Sequence, residues 1–183
     1  MWIDLAFVFG GFLIDQVLRL TLPVDSALKL LVFVPNLGFL AYLFVSLKKP
    51  MLEAVLMAAL VGVLVDLTRN ESFTNVLAYP LSVYVVKEWS NQLNESLFEL
   101  VFIGTIGLFI KELSLYLILL ALSITKIHPD TWFVRREFLT LIGHVPLLIG
   151  LTLLNRIRMQ SQDKANKQRQ RRESIRWTPT VKP

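Results

Sequence analysis

With 183 residues, 54% of them hydrophobic and 18% charged, and a mean hydropathy of +0.56, the chain carries too little charge to wrap a soluble core of its size. It contains no cysteine, which excludes disulfides, thiolate metal sites and thiol catalysis. The expectation is an all-α integral membrane protein, a six-transmembrane-helix bundle with no second domain, because each crossing takes roughly 20 residues and a short loop.

The first apolar run, Ile3–Leu22, reads as a spanning helix rather than a cleavable leader: Asp4 stands where a positive region should be, and no small-residue cleavage pattern follows. On it Asp15 and Arg19 are four apart with the acid first, which favours an intrahelical pair. Gln16 is expected to bond across helices. The second run, Leu28–Leu47, is interrupted by Pro35–Asn36, which frees backbone carbonyls at membrane depth. After a turn with Lys48 and Lys49 comes Leu52–Leu67, which carries Glu53, Asp66 and the small residues Ala54, Ala58, Ala59 and Gly62. Those four make a smooth stripe that suits a partner helix, with the bundle interior as the alternative. Thr74–Lys87 holds Asn75 and Pro80, Leu97–Ser123 holds Lys111 and Glu112, and Phe138–Leu154 holds His144 beside Pro146.

A bare charge in lipid is costly. Lys111 and Glu112 point about 100° apart around their helix, so at least one must meet a partner inside the bundle. Glu53, Asp66 and Asn75 are the candidate partners, and Asp66 is favoured for Lys111. The expected buried polar network is therefore Asp66, Lys111, Glu112 and Glu53. Glu53 and Asp66, about 220° apart on one helix, face different neighbours. His144 is expected to be neutral, bonded to a carbonyl that Pro146 frees.

From Asn155 the composition changes abruptly. Residues 1–154 form the transmembrane domain; residues 155–183 form a basic tail, expected to be partly disordered, with nine Lys or Arg against two acids, a net of +7 in a chain of +5. Arg156, Arg158, Lys164, Lys167, Arg169, Arg171 and Arg172 are its expected contacts with anionic membrane lipid, which is preferred to nucleic acid for a membrane protein. A basic juxtamembrane segment marks the cytoplasmic side, and an even number of spans puts both termini there. Lys48 and Lys49 agree with that topology, whereas Arg135 and Arg136 oppose it.

Catalytic signatures are missing. There is no H-E-x-x-H, no G-x-S-x-G, no phosphate-cradling glycine loop and no His/Asp/Glu cluster at metal-ligand spacing, so neither an enzyme nor a cofactor is expected. The triplets Asn70–Ser72 and Asn94–Ser96 would lie on opposite sides and are read as chance.

The ordered set of features is more specific than any one of them. "VPNLGFLAYLFVSLKKPMLEAVLMAALVGVLVDL" opens an apolar run on Pro-Asn and closes on Gly62-x-x-x-Asp66-Leu67. "TNVLAYPLSVYVV", an acid at Glu112 inside the fifth run, and a sixth run ending in "LLNRI" follow. Over roughly residues 30–156 this order resembles the MreD family of rod shape-determining membrane proteins, with Phe73 where that family tends to have glycine. The resemblance implies a non-enzymatic membrane scaffold of the bacterial elongation machinery that binds MreC. MreB, RodA and a class B penicillin-binding protein would work beside it. It also implies a fold similar to the substrate-binding subunits of ECF transporters, and a small-molecule binding subunit of that type is the alternative function. Asp66 and Glu112 match the family's acidic positions.

Overall fold

The computed structural model describes residues 2–22, 32–69, 73–90 and 96–177. Among these, all regular structure is helical: α1 (Trp2–Thr21), α2 (Leu37–Ser46), α3 (Met51–Arg69), α4 (Asn75–Ser90), α5 (Leu97–Ala121), the single turn α6 (Pro129–Trp132), a π turn (Phe133–Glu137) and α7 (Phe138–Trp177). Three stretches, Met51–Thr68, Leu97–Ala121 and Pro129–Gln168, are long and apolar enough to cross a membrane. The side chains are sorted as lipid requires. Leu52, Leu56, Leu60 and Leu64 of α3 and Ile142, Ile149 and Leu153 of α7 are exposed, while Asp15, Asp66, Lys111 and Glu112 are buried. A water-soluble fold arranges these residue types the other way round.

Helix starts follow local chemistry where it is strong. Ser96 opens α5 with a reciprocal cap: its hydroxyl accepts from the Glu99 amide at 3.2 Å, and the Glu99 carboxylate accepts from the Ser96 amide at 3.1 Å. Asn94 and the Asn70–Ser72 triplet lie outside the described residues.

The second run departs most from expectation. Its helix starts at Leu37, and residues 32–36 run without helix into it; the predicted start, residues 28–31, lies outside the described residues. Pro35 supplies the reason, because its ring disfavours helix in the preceding residue. Ten helical residues rise about 15 Å, half the roughly 30 Å of a hydrocarbon core. All ten are buried, as befits a helix that is apolar all round. Its Phe39, Leu40, Leu43 and Phe44 form the centre of a core completed by Tyr79, Val83, Val86, Ile103, Leu108 and Leu148.

The small-residue stripe of α3 is used inside the protein. Ala54 and Ala58 are fully buried, and the Tyr42 hydroxyl donates to the Ala54 carbonyl at 2.5 Å. A Cβ on Gly62 would come within 2.5 Å of the Asn75 carbonyl oxygen, so glycine is what lets α3 and α4 approach so closely. With Ala59 half-buried, the stripe offers no free face to a partner helix.

The sixth run does not stop at Leu154. Residues 155–177 continue α7, since Arg, Met, Gln, Lys and Ala are good helix formers and no Gly or Pro interrupts them. The start of this extension is fastened to the beginning of α1. Gln162 Nε2 donates to Asp4 Oδ1 at 2.6 Å, and Arg158 Nη1 lies 3.3 Å from the same oxygen with its guanidinium 5.2 Å from the Phe7 ring centre. Arg158 is therefore buried rather than lipid-facing, whereas Arg156, Lys164 and Lys167 are exposed. The side chains of Arg169, Arg171 and Arg172 lie outside the described residues.

Candidate functional site

Buried charge collects around the two ends of α2. At its N-terminus the carboxylate of Asp15 accepts from the amides of Leu37 (2.7 Å) and Gly38 (2.8 Å). Gly11, one turn earlier on α1, permits this contact: a Cβ there would sit 2.9 Å from the Leu37 carbonyl oxygen. At the other end Lys87 Nζ, from α4, donates to the carbonyls of Ser46 (3.0 Å), Leu47 (3.3 Å) and Lys49 (2.7 Å). An anion at the N-terminus and a cation at the C-terminus both complement the helix dipole, and both satisfy backbone groups that water cannot reach.

Asp66 does for α4 what Asp15 does for α2. Its Oδ1 accepts from the Asn75 side-chain amide (2.7 Å) and backbone amide (3.2 Å), and its Oδ2 from the Val76 amide (3.0 Å). The favoured pairing of Asp66 with Lys111 is thus replaced by capping of α4. Asp66 lies at the end of α3, where the start of α4 folds back over it, so its donors are the Asn75 side chain and the first backbone amides of α4. Phe73, just before α4, has φ 54°, the left-handed region that favours glycine.

Lys111 meets its own neighbour instead. Its Nζ lies 2.6 Å from Glu112 Oε1 and donates to Asn36 Oδ1 at 2.8 Å, while Asn36 Nδ2 donates to Glu112 Oε1 at 2.9 Å. Arg136, from the π turn, donates to Glu112 Oε2 at 3.0 Å. Side chains on adjacent residues can converge in this way because Asn36, held at the break before α2, bridges them. Lys111 and Glu112 are each 1% exposed, and the Arg136 side chain is 30% exposed, so the cluster has one exposed rim. Glu53 is not part of it: its side chain is 48% exposed and pairs with Lys49 one turn earlier.

Thr140 and His144 extend the network and hold the non-helical segment. The Val32 amide donates to the Arg135 carbonyl (2.9 Å), the Val34 amide to Thr140 Oγ1 (3.2 Å) and the Asn36 amide to His144 Nε2 (3.1 Å). With Nε2 accepting, Nδ1 carries the proton and donates to the Thr140 carbonyl at 2.7 Å. His144 is a neutral imidazole on a carbonyl, as expected, but the carbonyl belongs to Thr140 and not to a residue that Pro146 releases. Phe33 stacks on this ring, with centroids 4.8 Å apart. Irregular backbone at membrane depth is tolerated when its polar groups are satisfied like this.

Sequence reasoning singled out Asp66, Lys111, Glu112 and His144 but missed the roles of Asn36, Lys87, Thr140 and Arg136. One available signal was the break at Pro35–Asn36, whose exposed amides had to find donors and acceptors somewhere. Among the described residues no group of three or more His, Asp or Glu is placed to hold a metal ion. Comparison of the chain with protein-family models, with curated proteins and with solved structures returns no match.

Proposed function

We propose that the protein is a six-span scaffold of the bacterial cytoplasmic membrane that resembles MreD, binds MreC and turns over no substrate. It would have both termini in the cytoplasm, and MreB, RodA and a class B penicillin-binding protein would be its wider company. The observation that carries this reading is the closure of the Lys111–Glu112–Asn36–Arg136 cluster on itself, with contacts of 2.6 to 3.0 Å. A ligand site has to keep polar groups open to the ligand, whereas a scaffold can pair them internally.

Two further features support it. Phe73 takes up the backbone conformation that favours glycine at the position where the MreD family tends to carry glycine. Arg136 reaches inward to Glu112, so part of the positive charge that opposed the topology is neutralised inside the bundle. The exposed basic residues of the α7 extension, Arg156, Lys164 and Lys167, suit anionic lipid at the cytoplasmic face. With the small stripe of α3 turned inward, a partner span has the exposed leucine face of that helix to pack against.

The alternative, a small-molecule binding subunit similar to those of ECF transporters, draws on the broken second run, because discontinuous helices line binding sites in many transporters. Co-expression with the MreC of the same organism separates the two. The scaffold reading expects a complex that survives detergent, and rounding of rod-shaped cells on depletion. Saturable uptake of a small molecule into vesicles, with no MreC recovered, would replace it with the alternative.

A further inference from the structure

Glu137 closes the π turn and is completely buried, yet among the described residues neither of its carboxylate oxygens has a hydrogen-bond partner. The charged groups that face it are Glu112 and Lys111 from α5 and Arg136 from its own turn. Apart from Arg136 Nε, which has no partner among the described residues, the donors of the adjoining cluster are engaged elsewhere. Asn36 Nδ2 bonds Glu112 and the Val34 carbonyl, Arg136 Nη2 bonds Glu112, and both nitrogens of His144 are committed. An ionised carboxylate without donors in such a place is expensive, and the Glu112 carboxylate makes it more so.

We propose that Glu137 is a proton-binding site at the rim of the cluster, and that its proton decides which of two carboxylates Arg136 holds. With the proton on, Glu137 is neutral and Arg136 stays on Glu112, the arrangement observed. With the proton off, two carboxylates compete for one guanidinium whose Nε is buried and unbonded, and Arg136 turns toward Glu137. The proton is exchanged with water by way of the exposed side of Arg136: one carboxyl O–H bond forms or breaks, and nothing is oxidised. A π turn is a suitable host, since its looser winding is found mostly where a helix serves a site. The inference goes beyond the scaffold reading and does not depend on it.

Infrared difference spectra of the full chain in nanodiscs, titrated from about pH 5 to about pH 9, above the glutamate reference value, read the proton directly. The expected result is a protonated-carboxyl C=O band at neutral pH that vanishes in Glu137→Gln. A second reading is the unfolding midpoint. A carboxyl that keeps its proton when folded and loses it when unfolded makes stability fall as pH rises above about 4.3, so the wild-type midpoint should drop with pH and the drop should disappear in Glu137→Gln. Glutamine mimics the protonated acid, so this variant should fold at least as well as wild type at pH 7. No carboxyl band at neutral pH, a band unchanged in Glu137→Gln, or a variant that fails to fold would each overturn the proposal.

Discussion

Asp15 and Asp66 differ from Glu112 in what neutralises them, although all three carboxylates are buried. The aspartates accept from backbone amides at helix starts, donors that are fixed in place once α2 and α4 exist. Glu112 is held by three side chains from three segments, Lys111, Asn36 and Arg136, each with its own freedom to move. Short acids close to a helix terminus make rigid joints. A longer acid among long cations makes a junction that can be rearranged, and Glu137 beside it, without a hydrogen-bond partner among the described residues, is where rearrangement would start.

The largest expected effect is at the junction. Lys111→Leu leaves Glu112 with an uncompensated share of its charge, at a cost of about 3–5 kcal/mol by the precedent of broken buried pairs. Detergent-solubilised folded yield and the thermal midpoint would both register it. Next come the joints. Asp15→Ala or Asp66→Ala removes at least two charge-assisted bonds to amides that cannot reach water, a loss of about 3 kcal/mol. An unchanged midpoint in either variant would mean that the amides find other acceptors.

Smaller effects sharpen the contrast at its edges. Phe73→Gly should raise stability by about 1 kcal/mol, because it relieves a left-handed backbone just before the helix that Asp66 caps. Glu53→Ala should change stability by less than about 0.5 kcal/mol, as for any exposed ion pair, and its midpoint should stay with wild type within error. A large loss there would place Glu53 back in the buried network.

Much of the fold was legible in the sequence because apolar runs of helical length are bounded by turn chemistry. Ile3–Leu22, Leu52–Leu67, Thr74–Lys87 and Leu97–Ser123 match α1, α3, α4 and α5 to within a few residues. The second run was read as helix throughout because hydropathy cannot tell one continuous helix from a non-helical segment that leads into a short buried one. Only Pro35 carried that information. The pairing of the charges was less legible still. Asp66 and Lys111 are both buried, as expected of charges in apolar runs, but partner choice depends on how α3 and α4 pack and on the place of Asn36, which no spacing along the chain reveals.

A double-mutant cycle tests the central claim, that Lys111 closes on Glu112 while Asp66 caps α4. Midpoints would be measured for Lys111→Leu, Glu112→Leu and Asp66→Ala, and for the two double variants that contain Lys111→Leu. The structure predicts strong coupling between Lys111 and Glu112, with part of the single-variant loss recovered in the double, and additive losses for Lys111 and Asp66. Coupling between Lys111 and Asp66 with none between Lys111 and Glu112 would contradict it.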